Sequence, residues 1–193
     1  MRHAAIAIAV PCALLLSACG TTSVQDYPAA WPPLTGMSAD CREVAGTYID
    51  PNTRPWEPAD AAGRQPNIYA AWVTLGFIAQ GSAVGRKRSF SIAFADDGAL
   101  VLGYLMDNRP VASRRLGPDK WRCGSDGLQV LTLERSGALM DKVPNHGEMQ
   151  RTATLYRIGN TLYSKRVNDS RIKLLHVLPE QHYRVQWERF QAD

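Results

Sequence analysis

The sequence predicts a mainly β protein: an antiparallel meander forming a small barrel or strongly curved sheet, with one buried helix after the first strand. Three observations predict it. Apolar residues alternate with small or polar ones over short runs, as in Phe90, Ile92 and Phe94 or Tyr183, Val185 and Trp187, which is the period of a strand with one face covered. Turn-forming pairs separate those runs: Asp97-Gly98, Gly159-Asn160 and Asn168-Asp169. One stretch departs from this pattern, since no charged residue falls between Arg64 and Arg86 and its apolar residues recur at helical spacing.

Taken in order, 44–49 make a first short strand, followed by a loop rich in Pro, Asn and Gly that runs to Pro66. Asn67 is placed to cap a helix carrying Ile68, Ala71, Trp72, Leu75 and Ala79 on one side and Tyr69, Val73 and Phe77 on the other. A helix apolar all round is a buried one, here a plug or cover for a sheet, and Thr74, Gly76, Gln80 and Ser82 dilute it too far for a membrane span. From Ser89 the meander begins, with Leu100, Leu102, Tyr104 and Met106 on the strand that returns from Asp97-Gly98. Strands follow at 111–116 and, after Gly124-Ser125-Asp126-Gly127, at 128–134, where Val101, Leu105, Leu131 and Leu133 predict burial on both faces. A looser segment at 136–148 precedes strands at 149–158, 161–167, 172–178 and 183–190. Roughly nine short strands at near-regular spacing favour an up-and-down arrangement over βαβ units.

Ahead of the domain, Arg2 supplies a positive start and residues 4–16 form an uncharged, mostly apolar run of export-signal length. It ends in Leu16-Ser17-Ala18-Cys19, which resembles the lipobox of bacterial lipoproteins. The resemblance implies cleavage before Cys19, a diacylglyceryl thioether on its sulfur, and acylation of the new amino group, typically by palmitate. Several acyl chains hold a protein stably on a bilayer, at roughly 0.8 kcal/mol per buried methylene. Gly20 stands where an aspartate marks inner-membrane retention, so the expected location is the outer membrane, facing the periplasm. The expected division is 1–18 signal peptide, 19–40 lipidated cysteine and flexible tether, and 41–193 a single β-rich domain. Pro28, Pro32 and Pro33 oppose regular structure in the tether. Tyr27 and Trp31 either reach the headgroup layer or pack on the domain.

Without the leader, 175 residues remain, enough for one domain with its own core. The leader holds one of 22 basic residues and none of 18 acidic ones, leaving a formal +3, too small an excess for a nucleic-acid partner. Cys12 leaves with the leader and Cys19 is the lipid site, so Cys41 and Cys123 are the pair that an oxidising periplasm would join. A metal site would need His or Cys neighbours at ligand spacing, and neither has them; no metal or cofactor is expected.

On the first strand, Gly46-Thr47-Tyr48 is similar to the Gly-x-Trp element of lipocalins, followed as there by hairpins, but with Tyr for Trp and with the helix after the first strand rather than the last. No ligand residue is carried over from it. Nucleophile-elbow, phosphate-loop, dinucleotide and zinc-protease motifs do not occur in the mature chain. Ser170-Arg171-Ile172-Lys173 matches Ser-x-x-Lys, but in a predicted turn and without companion motifs. His146 and Glu148 form a weak proton-transfer pair, and no catalytic residue is assigned. Arg86-Lys87-Arg88, Arg114-Arg115 and Lys165-Arg166 are either solvated faces or contacts for anionic headgroups. The first expectation for function is a non-catalytic envelope lipoprotein that docks onto another envelope component. The alternative is a lipocalin-like binder of a small apolar molecule, with His176, Tyr104 and Trp72 lining its cavity; a periplasmic hydrolase using His146 and Glu148 comes third.

Overall fold

In the computed structural model, residues 20–34, 40–50, 71, 74–77, 87–137, 145–174 and 178–193 are described, with the backbone alone for 136, 137, 145, 146, 174 and 178. They form β1 (Gly20–Val24), a 3-10 turn (Cys41–Val44), β2 (Gly46–Ile49), β3 (Arg88–Phe94), β4 (Leu100–Met106) and β5 (Arg109–Leu116). After these come β6 (Trp121–Gly124), β7 (Gly127–Gly137), β8 (Asn145–Ile158), β9 (Thr161–Leu174) and β10 (Leu178–Gln191). The protein is mainly β, as expected.

The strands divide into two sheets, ordered β2-β3-β4-β5 and β1-β10-β9-β8-β7-β6. No closed barrel forms among the described residues. Among the described residues the backbones of the two sheets pair at one seam, where Tyr48 bridges Ala192 and the Asp193 N–H donates to Thr47 O at 2.9 Å. At the other side the meander breaks between β5 and β6. Pro118 has no N–H to offer a ladder, and the Lys120 N–H turns back to Gly117 O at 3.0 Å. All pairings are antiparallel except that of β1, which runs parallel to β10.

Turn chemistry explains most of the hairpins. Asp107 and Asn108, at φ 49° and 63°, make the two-residue turn from β4 to β5. Gly127 opens β7 at φ 93°, where a Cβ would stand 2.5 Å from Leu155 O, so glycine is required. Asn168-Asp169, by contrast, is no turn: β9 runs unbroken through it. Arg151 on β8 donates through Nε to Asn168 Oδ1 at 2.5 Å, and cross-strand pairing on both sides outweighs the local turn preference. The strand expected at 172–178 is accordingly the end of β9 and the start of β10, with 175–177 outside the described residues.

Of the expected helix, only Ala71 and 74–77 are described. They are buried in the core as a plug should be, Gly76 excepted, which is part-exposed. They do not support a helix, however. Among the described residues only Ala71 and Thr74 are helical, the Leu75 N–H donates to Ala71 O at 2.8 Å, and Gly76 at φ 69° leaves the helical region.

The interior is filled by side chains from both sheets. Tyr48, Phe90, Leu100, Leu102, Tyr104, Leu128, Leu155, Leu162 and Phe190 are all under 2–3% exposed. Tyr48 stacks on Phe90 at 5.4 Å between centroids, and Phe90 meets Phe190 edge-on at 4.9 Å. Burying side chains of this size stabilises the fold by about 1.5–3 kcal/mol each. Val101, Leu105, Leu131 and Leu133 are half-buried, so the outer faces there are only partly covered. A second cluster lies on the outside of the six-stranded sheet, where Tyr27, Trp31 and Leu34 cover Tyr156, Tyr163 and Trp187. Residues 20–34 are therefore not a free tether: β1 joins the sheet edge and the segment behind it packs on the sheet's outer face.

Candidate functional site

Charged groups lie inside the apolar interior. Asp50, directly after β2, is 2% exposed. It accepts the Tyr104 hydroxyl at 2.6 Å and the Ala71 N–H at 3.2 Å. Burial pushes its carboxyl up to about 6, while the Tyr104 and Ala71 hydrogen bonds and the charge of Arg88 oppose the rise and Glu188 adds to it. Glu188 on β10 is fully buried and accepts the Thr74 hydroxyl, with Arg166 of β9 at 3.5 Å. Arg166 also donates to Thr74 Oγ1 at 3.3 Å and to Gln186 Oε1. Arg88 and Arg166, 3% and 2% exposed, balance the two carboxyls. Beside them Arg114 of β5 sends Nη1 to three carbonyls, those of Leu75, Gly76 and Thr132, at 2.6, 2.9 and 2.7 Å. Burial holds its guanidinium below the ordinary arginine range.

These contacts share one object. Asp50, Glu188, Arg166 and Arg114 each bond a residue of the 71–77 segment, from both sheets at once. The arrangement has acid, base and hydroxyl groups in reach of one another; Asp50, Thr74, Arg166 and Glu188 are buried and Arg114 is part-exposed. Chemically it neutralises charge and seats the buried residues Ala71, Thr74 and Leu75.

The expected site residues fare differently. Cys41 and Cys123 form a disulfide, with Cα atoms 5.7 Å apart. Tyr104 is 0% exposed between Phe77, at 5.4 Å between centroids, and Asp50. It is part of the hydrophobic core cluster. Trp72 and His176 lie outside the described residues, as do Cys19 and residues 1–18. His146 pairs in register with Lys173 at the start of β8, where only its backbone is described, and Glu148 is exposed. Ser170 is buried and Lys173 exposed, because residues three apart on a strand face opposite ways; Ser-x-x-Lys brings no lysine to its serine. Alternation also splits the basic runs. Arg88, Arg114 and Arg166 turn inward, while Lys87 pairs with Asp193 at 2.7 Å, Arg115 pairs with Asp97, and Lys165 lies over Trp187 at 5.7 Å.

Asp50, Thr74 and Glu188 carried no signal as a set, being far apart in sequence. Glu188 was visible only as the polar partner of Trp187 on an alternating strand. Both faces of β10 prove to be covered, the aromatic one by Tyr27 and Trp31 and the other by the core. Among the described residues no group of three or more His, Cys, Asp or Glu side chains is placed to hold a metal ion, and no helix is long and apolar enough to cross a membrane. Two clefts, of about 660 and 510 Å³, lie toward one end of the six-stranded sheet and share Glu148 and Arg171. Comparison of the chain with protein-family models, with curated proteins and with solved structures finds no match.

Proposed function

We propose that the protein is a lipid-anchored component of the cell envelope that works without catalysis, by docking its outer surface onto another envelope component. The observation that carries this reading is the filled interior. Tyr48, Phe90, Tyr104 and Phe190 occupy the space in which a lipocalin-like protein would hold an apolar ligand, and the charges among them are engaged with one another and with the 71–77 segment. An interior committed to its own packing leaves the outside to act. Val111, 40% exposed on the edge strand β5, and Ile49, 38% exposed at the end of β2, are large apolar side chains on that outside.

The test uses the full chain, expressed in a bacterial host with a photo-reactive amino acid at 49, 111 or 115 and irradiated in intact cells. Docking predicts a discrete adduct with one envelope protein from at least one position, reduced when Cys19→Ala releases the chain from the membrane. No adduct from any position, together with a stoichiometric apolar molecule extracted from the purified domain, would overturn docking in favour of the binder.

A further inference from the structure

The connection between Cys19 and the sheet has no slack. Gly20 is the first residue of β1 and pairs with Gln181 of β10, so the cysteine that would carry lipid is one peptide step, about 3.8 Å between Cα atoms, from a hydrogen-bonded strand. That strand is held along its length. Thr21 is hydrogen-bonded to His182, the Gln25 N–H donates to Val185 O at 3.1 Å, and Gln25 Oε1 accepts the Trp187 N–H at 3.2 Å. Behind it Tyr27 packs edge-on against Trp187 at 4.9 Å, and Trp31 sits 5.3 Å from Tyr163. A flexible coil over 20–40 would have allowed the domain to stand roughly 25 Å away in any orientation. The strand does not.

Gly20 also borders the cleft of about 510 Å³, together with Gly147, Ile172, Lys173, Pro179 and Gln181. Its apolar lining is Gly20, Gly147, Ile172 and Pro179. Arg171 and Lys173 also line it and are exposed, as is Glu148, with Glu180 half-buried. Apolar lining and long basic side chains with mixed charge suit the zone where acyl chains meet headgroups, in which lysine and arginine bury their stems and keep their charges in water.

We infer that this end of the six-stranded sheet is the membrane-facing surface of the anchored protein, seated on the interface of the phospholipid bilayer that holds the Cys19 lipid. The inference rests on the proposed lipid anchor. β8, β9 and β10 then stand end-on to the bilayer. At roughly 3.3 Å per residue, their 14 residues carry the Gly159-Asn160 turn about 45 Å from it.

The experiment places a bimane label at Lys173→Cys or at Asn160→Cys in the full-length mature protein, in vesicles of phosphatidylethanolamine and phosphatidylglycerol with brominated acyl chains. Intact mass first establishes whether Cys19 carries lipid. Lipidated protein should show strong quenching at 173 and none at 160. A fifteen-residue Gly-Ser insertion between Cys19 and Gly20, with the lipid retained, should abolish quenching at 173. Lipidated protein with equal quenching at both sites, or with none at 173, would overturn the orientation and leave the anchor standing. Quenching at 173 that survives the insertion would overturn the short connection as its cause. A chain without lipid would remove the anchor and this inference with it.

Discussion

Replacing Asp50 by asparagine tests whether one buried carboxyl shapes the pH dependence of the whole fold. Burial raises Asp50 from an ordinary 3.8 to about 6. A carboxyl whose folded value exceeds its unfolded one binds its proton more tightly in the native state. Below the unfolded value both states are protonated and nothing is lost. Above the folded value both are ionised, and the native state bears the full cost of the buried charge. Stability therefore falls as pH rises from about 3 to about 7, by on the order of 3 kcal/mol in all at 1.36 kcal/mol per pH unit. Asparagine keeps the shape: its carbonyl can accept the Ala71 N–H, and its amide can donate to the Tyr104 oxygen once that hydroxyl turns. Urea unfolding followed by tryptophan fluorescence at pH 4, 5, 6 and 7, with the disulfide intact, measures both proteins. All other titrating groups are common to the two, so the change in their difference with pH isolates Asp50. The wild type should lose about 2–2.5 kcal/mol relative to D50N between pH 4 and pH 7, at an unchanged m-value. Parallel pH profiles would refute the account of Asp50 as a carboxyl ionised at a cost.

Three further substitutions read separate parts of the fold. Cys41 and Cys123 close a loop across 82 positions, so replacing both by serine should cost roughly 4–5 kcal/mol in urea unfolding, and a loss below about 1 kcal/mol would contradict the loop-closure origin. Gly127→Ala puts a side chain at φ 93° and 2.5 Å from Leu155 O; a loss of roughly 1–3 kcal/mol is expected, and an unchanged midpoint would mean that the β6–β7 turn adjusts freely. Arg166→Met alone should cost roughly 3–5 kcal/mol by leaving Glu188 buried against Thr74, whereas Arg166→Met with Glu188→Leu should recover most of that; a double variant as unstable as the sum of the single losses would show that the pair is not coupled.

How far the sequence could be read depends on whether a residue's environment is local. On β4 the alternation of Leu100, Leu102, Tyr104 and Met106 marks the buried face correctly, because that strand has one apolar set and it faces the core. On β10 the same period identifies two faces but not which is inner. Trp187 and Val185 are apolar because a second layer from 20–34 covers them, while Glu188 faces the core beside Phe190. β1 itself, Gly-Thr-Thr-Ser-Val and exposed throughout, has no apolar period at all; only its pairing with β10 makes it a strand. Asn168-Asp169 misled for the complementary reason, since its turn preference is local and the pairings that override it are not. The disulfide was legible because two cysteines remained once an export signal and lipid attachment at Cys19 were assumed. The cluster of Asp50, Thr74, Arg166 and Glu188 was not, because nothing joins them but the fold.

The buried charges follow from the path of the chain through its own interior. A strand core can be wholly apolar because the ladder satisfies every backbone group, but Ala71 and residues 74–77 lie in the core outside any ladder. Their N–H and C=O groups need other partners, and leaving one unmet costs roughly 1–3 kcal/mol. The carboxylate of Asp50 takes the Ala71 N–H, and the fork of Arg114 takes the Leu75 and Gly76 carbonyls together with that of Thr132 at the irregularity of β7. Arginine suits the second task because its planar fork reaches several carbonyls at once, which a lysine point charge does not. Thr74 then hands the segment on to Glu188 and Arg166 of the larger sheet. Polar groups at the centre of an enclosed core invite a catalytic interpretation, yet each of these is accounted for by the segment it holds. If the docking proposed above is right, a protein whose core is occupied in this way by its own chain would meet its partner at the surface.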